Sequence, residues 1–172
     1  HPAFAGHAHP INFVLAKIEG GDWTSSVPAW CTFDMRIGLF PGQDLMQARA
    51  EVEATIAKAA AKDPFLAKHP PEVGYLGFMA EGWVLPADTE AQRTLAAAHQ
   101  AVTGQPLQPF ASTGTTDARF FGLYADTPAL VYGPRAEFIH GFDERVELES
   151  VRRVTQATAL FIADWCGVEE KQ

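Results

Sequence analysis

Cysteine is scarce in this chain: Cys31 and Cys166 stand far apart, and neither has a CxxC partner. That excludes a disulfide framework, a zinc knuckle and a redox dithiol, and makes a reducing, cytoplasmic compartment the expected one. Basic residues are also few. Against 21 Asp and Glu there are 13 Lys and Arg, a formal net charge of -8. Binding to nucleic acid needs a basic face, so no polynucleotide partner is expected, and the acidity reads as an aid to solubility. No apolar run approaches the roughly 20 residues that cross a bilayer, so no membrane partner is expected either. A nucleophile elbow, a P-loop, a dinucleotide fingerprint, an internal repeat and a low-complexity tract are all missing. An initiator Met is missing too. The chain opens His1-Pro2, its true N-terminus is expected upstream, and the lack of a signal peptide carries no weight.

What remains is 172 residues, 47% apolar, enough for one large or two small domains with a buried core. Residues 1–10 read as an irregular loop and 11–18 as a strand ending in the turn cluster Glu19-Gly20-Gly21-Asp22. Alternation over 29–39 predicts a second strand. Trp30, Thr32, Asp34 and Arg36 fall on one face; Cys31, Phe33, Met35 and Ile37 form an apolar face that should pack inward. Asp44 can cap a helix over 45–62 with Leu45, Ala48, Val52, Ile56 and Ala59 in one stripe. A third strand candidate, 73–84, is interrupted by Gly74, Gly77 and Gly82. Past a boundary at Pro86, Thr89 and Gln92 form a capping-box pair for a helix that buries Ala91, Leu95, Ala98 and Val102 and stops at Gly104. A strand over 129–132 follows. A last helix over 149–165 should bury Val151, Val154, Thr158, Ile162 and Trp165. This order predicts an α/β protein of two α/β units, 1–86 and 87–172.

Chemistry concentrates in the second unit. A run from Gly114 to Phe121 precedes the 129–132 strand, Gly133-Pro134, and a polar loop from Ile139 to Glu144. α/β enzymes present groups in this way at the carboxyl edge of a sheet. His140, in that loop, has the placement of a metal ligand or general base; an exposed loop histidine fits the same spacing. Asp143 and Glu144 either orient its ring or solvate the loop. Gly114, Thr115 and Thr116 can offer N–H groups and hydroxyls to an anion, and Arg119 can clamp a carboxylate. Equally, Asp117 can cap a helix beginning at Ala118, with Arg119 paired to it. His1, His7, His9, His69 and His99 assemble into no metal pattern.

Three segments, taken in order, resemble one family. They are Ile18 to Arg36, through Glu19-Gly20-Gly21-Asp22-Trp23 and Ser25-Ser26-Val27-Pro28; Gly114 to Phe120; and Tyr132-Gly133-Pro134 with Ile139-His140 and Glu144. From about residue 11 to 165 the chain is similar to the metallo-deacylases: acetylornithine deacetylase, succinyl-diaminopimelate desuccinylase and the related metallo-aminoacylases and carboxypeptidases. The resemblance implies that 1–86 is a partial lid, or dimerisation, domain with an antiparallel sheet, through which the protein forms a homodimer. From 87 on it implies the C-terminal part of a zinc-peptidase-like α/β catalytic domain. His140 would be a zinc ligand of a dinuclear site, with cobalt able to replace zinc. Arg36, Thr115 and Arg119 match positions near the substrate, and Gly133 would let the backbone approach it.

By the same resemblance, the other metal ligands and the glutamate general base lie upstream of the lid, outside this chain. The lid's first strand and helix are expected outside this chain too. The implied function is a zinc-dependent amidohydrolase, in which metal-bound water attacks the amide of an N-acyl amino acid such as acetylornithine. An N-formyl pyrimidine of vitamin salvage is another substrate the resemblance leaves open. With no catalytic residue of its own, this stretch is expected to be inactive alone. The alternative is a non-catalytic module that dimerises by pairing edge strands and keeps a vestigial catalytic remnant.

Overall fold

The computed structural model describes residues 1–169 and is mixed α and β, with four α-helices and two antiparallel strand pairs among them. The chain forms two compact units. The first takes in His1–Val84 with Ala111–Thr115, and the second takes in Leu85–Phe110 with the chain from Thr116 on.

The first unit opens with a 3-10 turn over Pro2–Phe4. Phe4 is buried among the rings of His1, His7 and Phe40, with centroids 5.4, 5.5 and 5.7 Å away, so an aromatic cluster anchors the loop read as irregular. Strand β1 (Phe13–Gly20) then pairs antiparallel with β2 (Cys31–Ile37). Phe13, Leu15 and Ile18 stand opposite Ile37, Met35 and Phe33, while Val14, Lys17 and Glu19 oppose Arg36, Asp34 and Thr32. Residues directly opposite share a face, so one face is apolar and the other largely charged. A bulge at Ala16 produces that segregation. Without it, strict alternation would carry Lys17 onto the face of Leu15.

The connection between the strands is tightly built. A Cβ on Gly20 would stand 2.7 Å from the Trp30 carbonyl oxygen, and Gly21 has φ +79°, so both positions demand glycine. Trp30 Nε1 donates to Asp22 Oδ1 at 2.9 Å and closes the loop. The apolar face does not pack inward as alternation predicts: Phe33 is 51% exposed and Met35 38%. A hairpin buries a face only when a second layer is laid on it.

Helix α1 (Leu45–Ala60) begins where Asp44 accepts from the Gln47 N–H at 2.7 Å. Leu45, Ala48, Val52 and Ile56 are half-buried, and the stripe closes on buried Ala60 instead of Ala59. The strand expected over 73–84 has no ladder. Gly77, at φ +95°, turns the backbone out of an extended path, and a Cβ on Gly82 would meet the Pro41 ring at 3.2 Å. Tyr75 is tied to α1 instead. Its hydroxyl donates to the Arg49 carbonyl at 3.1 Å, and the Arg49 guanidinium lies 4.0 Å from its ring centroid.

In the second unit, α2 (Glu90–Thr103) packs on α4 (Leu148–Cys166), with the short α3 (Ala118–Tyr124) between them in sequence. Thr89 Oγ1 accepts from the Gln92 N–H at 3.2 Å, and the Gln92 side chain accepts from the Asp88 N–H at 3.0 Å. Gly104 ends α2 in the left-handed region, φ 70°. Ala91, Leu95 and Ala98 are buried and Val102 half-buried. On α4 the inward stripe is rotated from the expected one. Ala157 is fully buried between half-buried Val154 and Phe161, whereas Thr158, Ile162 and Trp165 are exposed. Alanines on both helices let the axes approach closely, and bulky Ile162 would hold them apart. Residues 129–132 form no ladder; the strand pairing of this unit, among the described residues, joins β3 (Ala136–Glu137) to β4 (Arg145–Val146). Cys31 and Cys166 are free and exposed.

Candidate functional site

His140 stands in the loop of the β3–β4 hairpin. Two residues of that loop, Phe138 at φ 53° and His140 at φ 66°, hold left-handed backbone, which costs a non-glycine residue energy and persists only where the surroundings impose it. The Gly141 N–H donates to the Phe138 carbonyl at 2.6 Å, and a Cβ on Gly141 would lie 2.8 Å from that oxygen, so the turn demands glycine there. Below the loop, Arg145 Nε donates to Glu137 Oε2 at 2.6 Å and the guanidinium sits 5.1 Å from the Phe138 ring centroid. The imidazole is thereby displayed on an exposed turn with a braced base. Asp143 and Glu144 are exposed, and neither hydrogen-bonds to His140 among the described residues.

The root of the hairpin is fastened to the start of α4. The Glu147 N–H donates to the Arg135 carbonyl at 3.0 Å, the Arg135 N–H donates to Ser150 Oγ at 2.9 Å, and Ser150 Oγ donates to the Glu147 carbonyl at 2.7 Å. Two residues earlier, Gly133 is exposed, its φ is not positive, and an added Cβ would meet nothing within 4 Å. Neither backbone geometry nor packing within the chain asks for glycine at this position.

The remaining candidates lie in different circumstances. Arg119 is buried, 8% exposed, with its guanidinium 4.0 Å from the Phe120 ring centroid. Asp117 takes the N-cap position of α3 but makes no side-chain cap bond. Arg36 is exposed on the charged face of the β1–β2 hairpin and makes no ion pair among the described residues. Thr115 is exposed, and the Gly114 N–H before it donates to Ser112 Oγ at 3.0 Å. Arg36 and Thr115 belong to the first unit; Arg119, Gly133 and His140 belong to the second.

One contact was not anticipated. His99 Nδ1 and Tyr132 Oη are 2.7 Å apart, and the rings meet edge to face at 5.7 Å. Burial pushes the Tyr132 phenol above its ordinary range. The signal was present: His99 borders Ala98 on the inward side of α2, and a part-buried ring nitrogen needs a partner.

Hydrolytic metal centres take three protein ligands and an open position. Among the described residues no group of three or more His, Cys, Asp or Glu is placed to hold a metal. The described residues therefore do not fit a metal centre by themselves. No helix among them is long and apolar enough to cross a membrane.

Comparison with known proteins adds the wider context. The model of peptidase family M20/M25/M40 matches residues 10–164. A deformylase of N-formyl-4-amino-5-aminomethyl-2-methylpyrimidine from Halalkalibacterium halodurans is 27% identical over 178 residues, covering 98% of this chain and 41% of that protein. The chain thus spans about two fifths of that relative's length.

Proposed function

The chain belongs to peptidase family M20/M25/M40, and from that premise we propose that it is one part of a metal-dependent amidohydrolase acting on N-acyl amino acids. In this reading His140 gives one ligand to a zinc or cobalt site, dinuclear in the complete protein, whose other ligands and general base come from elsewhere in it. Arg36 grips the substrate carboxylate, and Thr115 adds a hydroxyl to the anion's surroundings. The observation that carries the reading is the display of His140: left-handed backbone on a glycine-locked turn with a braced base, inside a stretch that the family matches throughout. Gly133 supports it, because a glycine that the fold does not require leaves room for a ligand against the backbone.

The substrate is tested directly. The H. halodurans relative is named for an N-formyl aminopyrimidine, which carries no carboxylate. Full-length protein should hydrolyse N-acetylornithine and lose rate on its carboxamide analogue. Turnover of the N-formyl pyrimidine with none of N-acetylornithine would keep the amidohydrolase and remove the carboxylate grip. No amide hydrolysis with zinc or cobalt supplied would overturn the proposal.

A further inference from the structure

The segment 132–135 is held at both ends and open in the middle. At one end Tyr132 bonds to His99 on α2; at the other, Arg135 bonds to Ser150 and Glu147 at the start of α4. Between them Gly133 is exposed with free space beside it, and immediately after Arg135 begins the hairpin that carries His140. Since α2 and α4 pack together, the two anchors belong to one rigid support. A short chain fixed at two points has few conformations left to it, and a site tolerates little displacement of the groups it uses.

We propose that His99 is a positioning residue: through the Tyr132 hydroxyl it pins the 132–135 segment, and so sets the placement of the Gly133 backbone and the His140 hairpin on the α2–α4 support. The functional weight of this pin rests on the reading of Gly133 and His140 given above. His99 touches no reacting atom; it acts through Tyr132.

The test uses full-length protein with His99→Ala, Tyr132→Phe, the double variant and His99→Gln. Tyr132→Phe keeps the ring contact and removes only the hydroxyl, so loss of folding is not at issue. Exchange of the hydrogen-bonded Arg135 and Gly141 amides should quicken about fivefold in each single variant, the yield of one lost hydrogen bond. The double variant should be no faster than either, since both act through one bond. KM should rise by a similar factor with kcat changed less, and His99→Gln, whose amide oxygen can accept from the phenol, should restore both. Unchanged exchange of the Arg135 and Gly141 amides, or single effects that multiply, overturns the pin. Quickened exchange with unchanged KM and kcat overturns the positioning role. Full activity of His140→Ala overturns the functional reading whichever way His99 behaves, so the two failures are told apart.

Discussion

Arg36 and Arg119 carry the same charge in opposite surroundings, and that difference sets what each can do. Arg36 lies exposed on a charged strand face, free to meet a ligand; Arg119 is buried against Phe120. Arg36→Ala should therefore weaken binding of a carboxylate substrate roughly ten- to hundredfold, the loss of a charge-assisted bond, with the thermal midpoint unmoved. Equal rates on a carboxylate substrate and its carboxamide would deny it that role. Arg119→Ala should lower stability by about 1–2 kcal/mol through lost packing and cation–π contact, seen as a lower denaturation midpoint. His140→Ala in full-length protein should lose one bound metal by elemental analysis and most of its rate, since a ligand stabilising the metal is gone. Full occupancy would make His140 a loop residue only. The sequence marked these positions by type and spacing. It could not tell that Arg119 turns inward, because an arginine at the second position of a short helix reaches either solvent or core with a change of rotamer.

Helix ends were legible because capping is local chemistry. Asp44, Thr89 and Gly104 stand where a side-chain oxygen or a left-handed residue is needed, and the structure uses all three. Thr89→Ala should cost about 1 kcal/mol, measurable by chemical denaturation; no loss would mean that Gln92 caps α2 unaided. Register and facing were harder to see. The bulge at Ala16 is one residue of irregularity that alternation alone does not reveal, and the inward side of α4 was chosen by the alanines of α2 instead of by its own largest side chains. Strands need partners, so 73–84 and 129–132, apolar enough to be strands, stay unpaired where no neighbour is offered. At the start of α4, hydrogen bonds from Arg152 and Arg153 hold the Glu149 carboxyl down to about 2 from 4.5. A carboxyl depressed by folding stabilises above its unfolded pKa, and that contribution fades as pH falls from about 4.5 through about 2. NMR titration of Glu149 should find the low value, and one near 4.5 would show that the pairs with Arg152 and Arg153 do not form in solution.

Large apolar side chains stand exposed in both units of the molecule. They form faces of Phe13, Leu15, Ile18, Phe33 and Met35 in one unit and of Leu148, Ile162 and Trp165 in the other. Faces of this kind are interfaces or aggregation-prone surfaces, and the unpaired edges of β1 and β2 invite strand pairing. The 172-residue chain produced alone should therefore dimerise or aggregate in light scattering; a stable monomer at high concentration would count against covered faces in the complete protein. Under the function proposed above, this chain would supply one metal ligand and substrate contacts to a hydrolase completed from elsewhere. The most direct test of that function is an amide-hydrolysis assay of the homogeneous 172-residue chain beside full-length protein, each with zinc or cobalt added. Full-length protein should show chelator-sensitive turnover and the chain none; chelator-sensitive turnover by the chain alone would overturn that function.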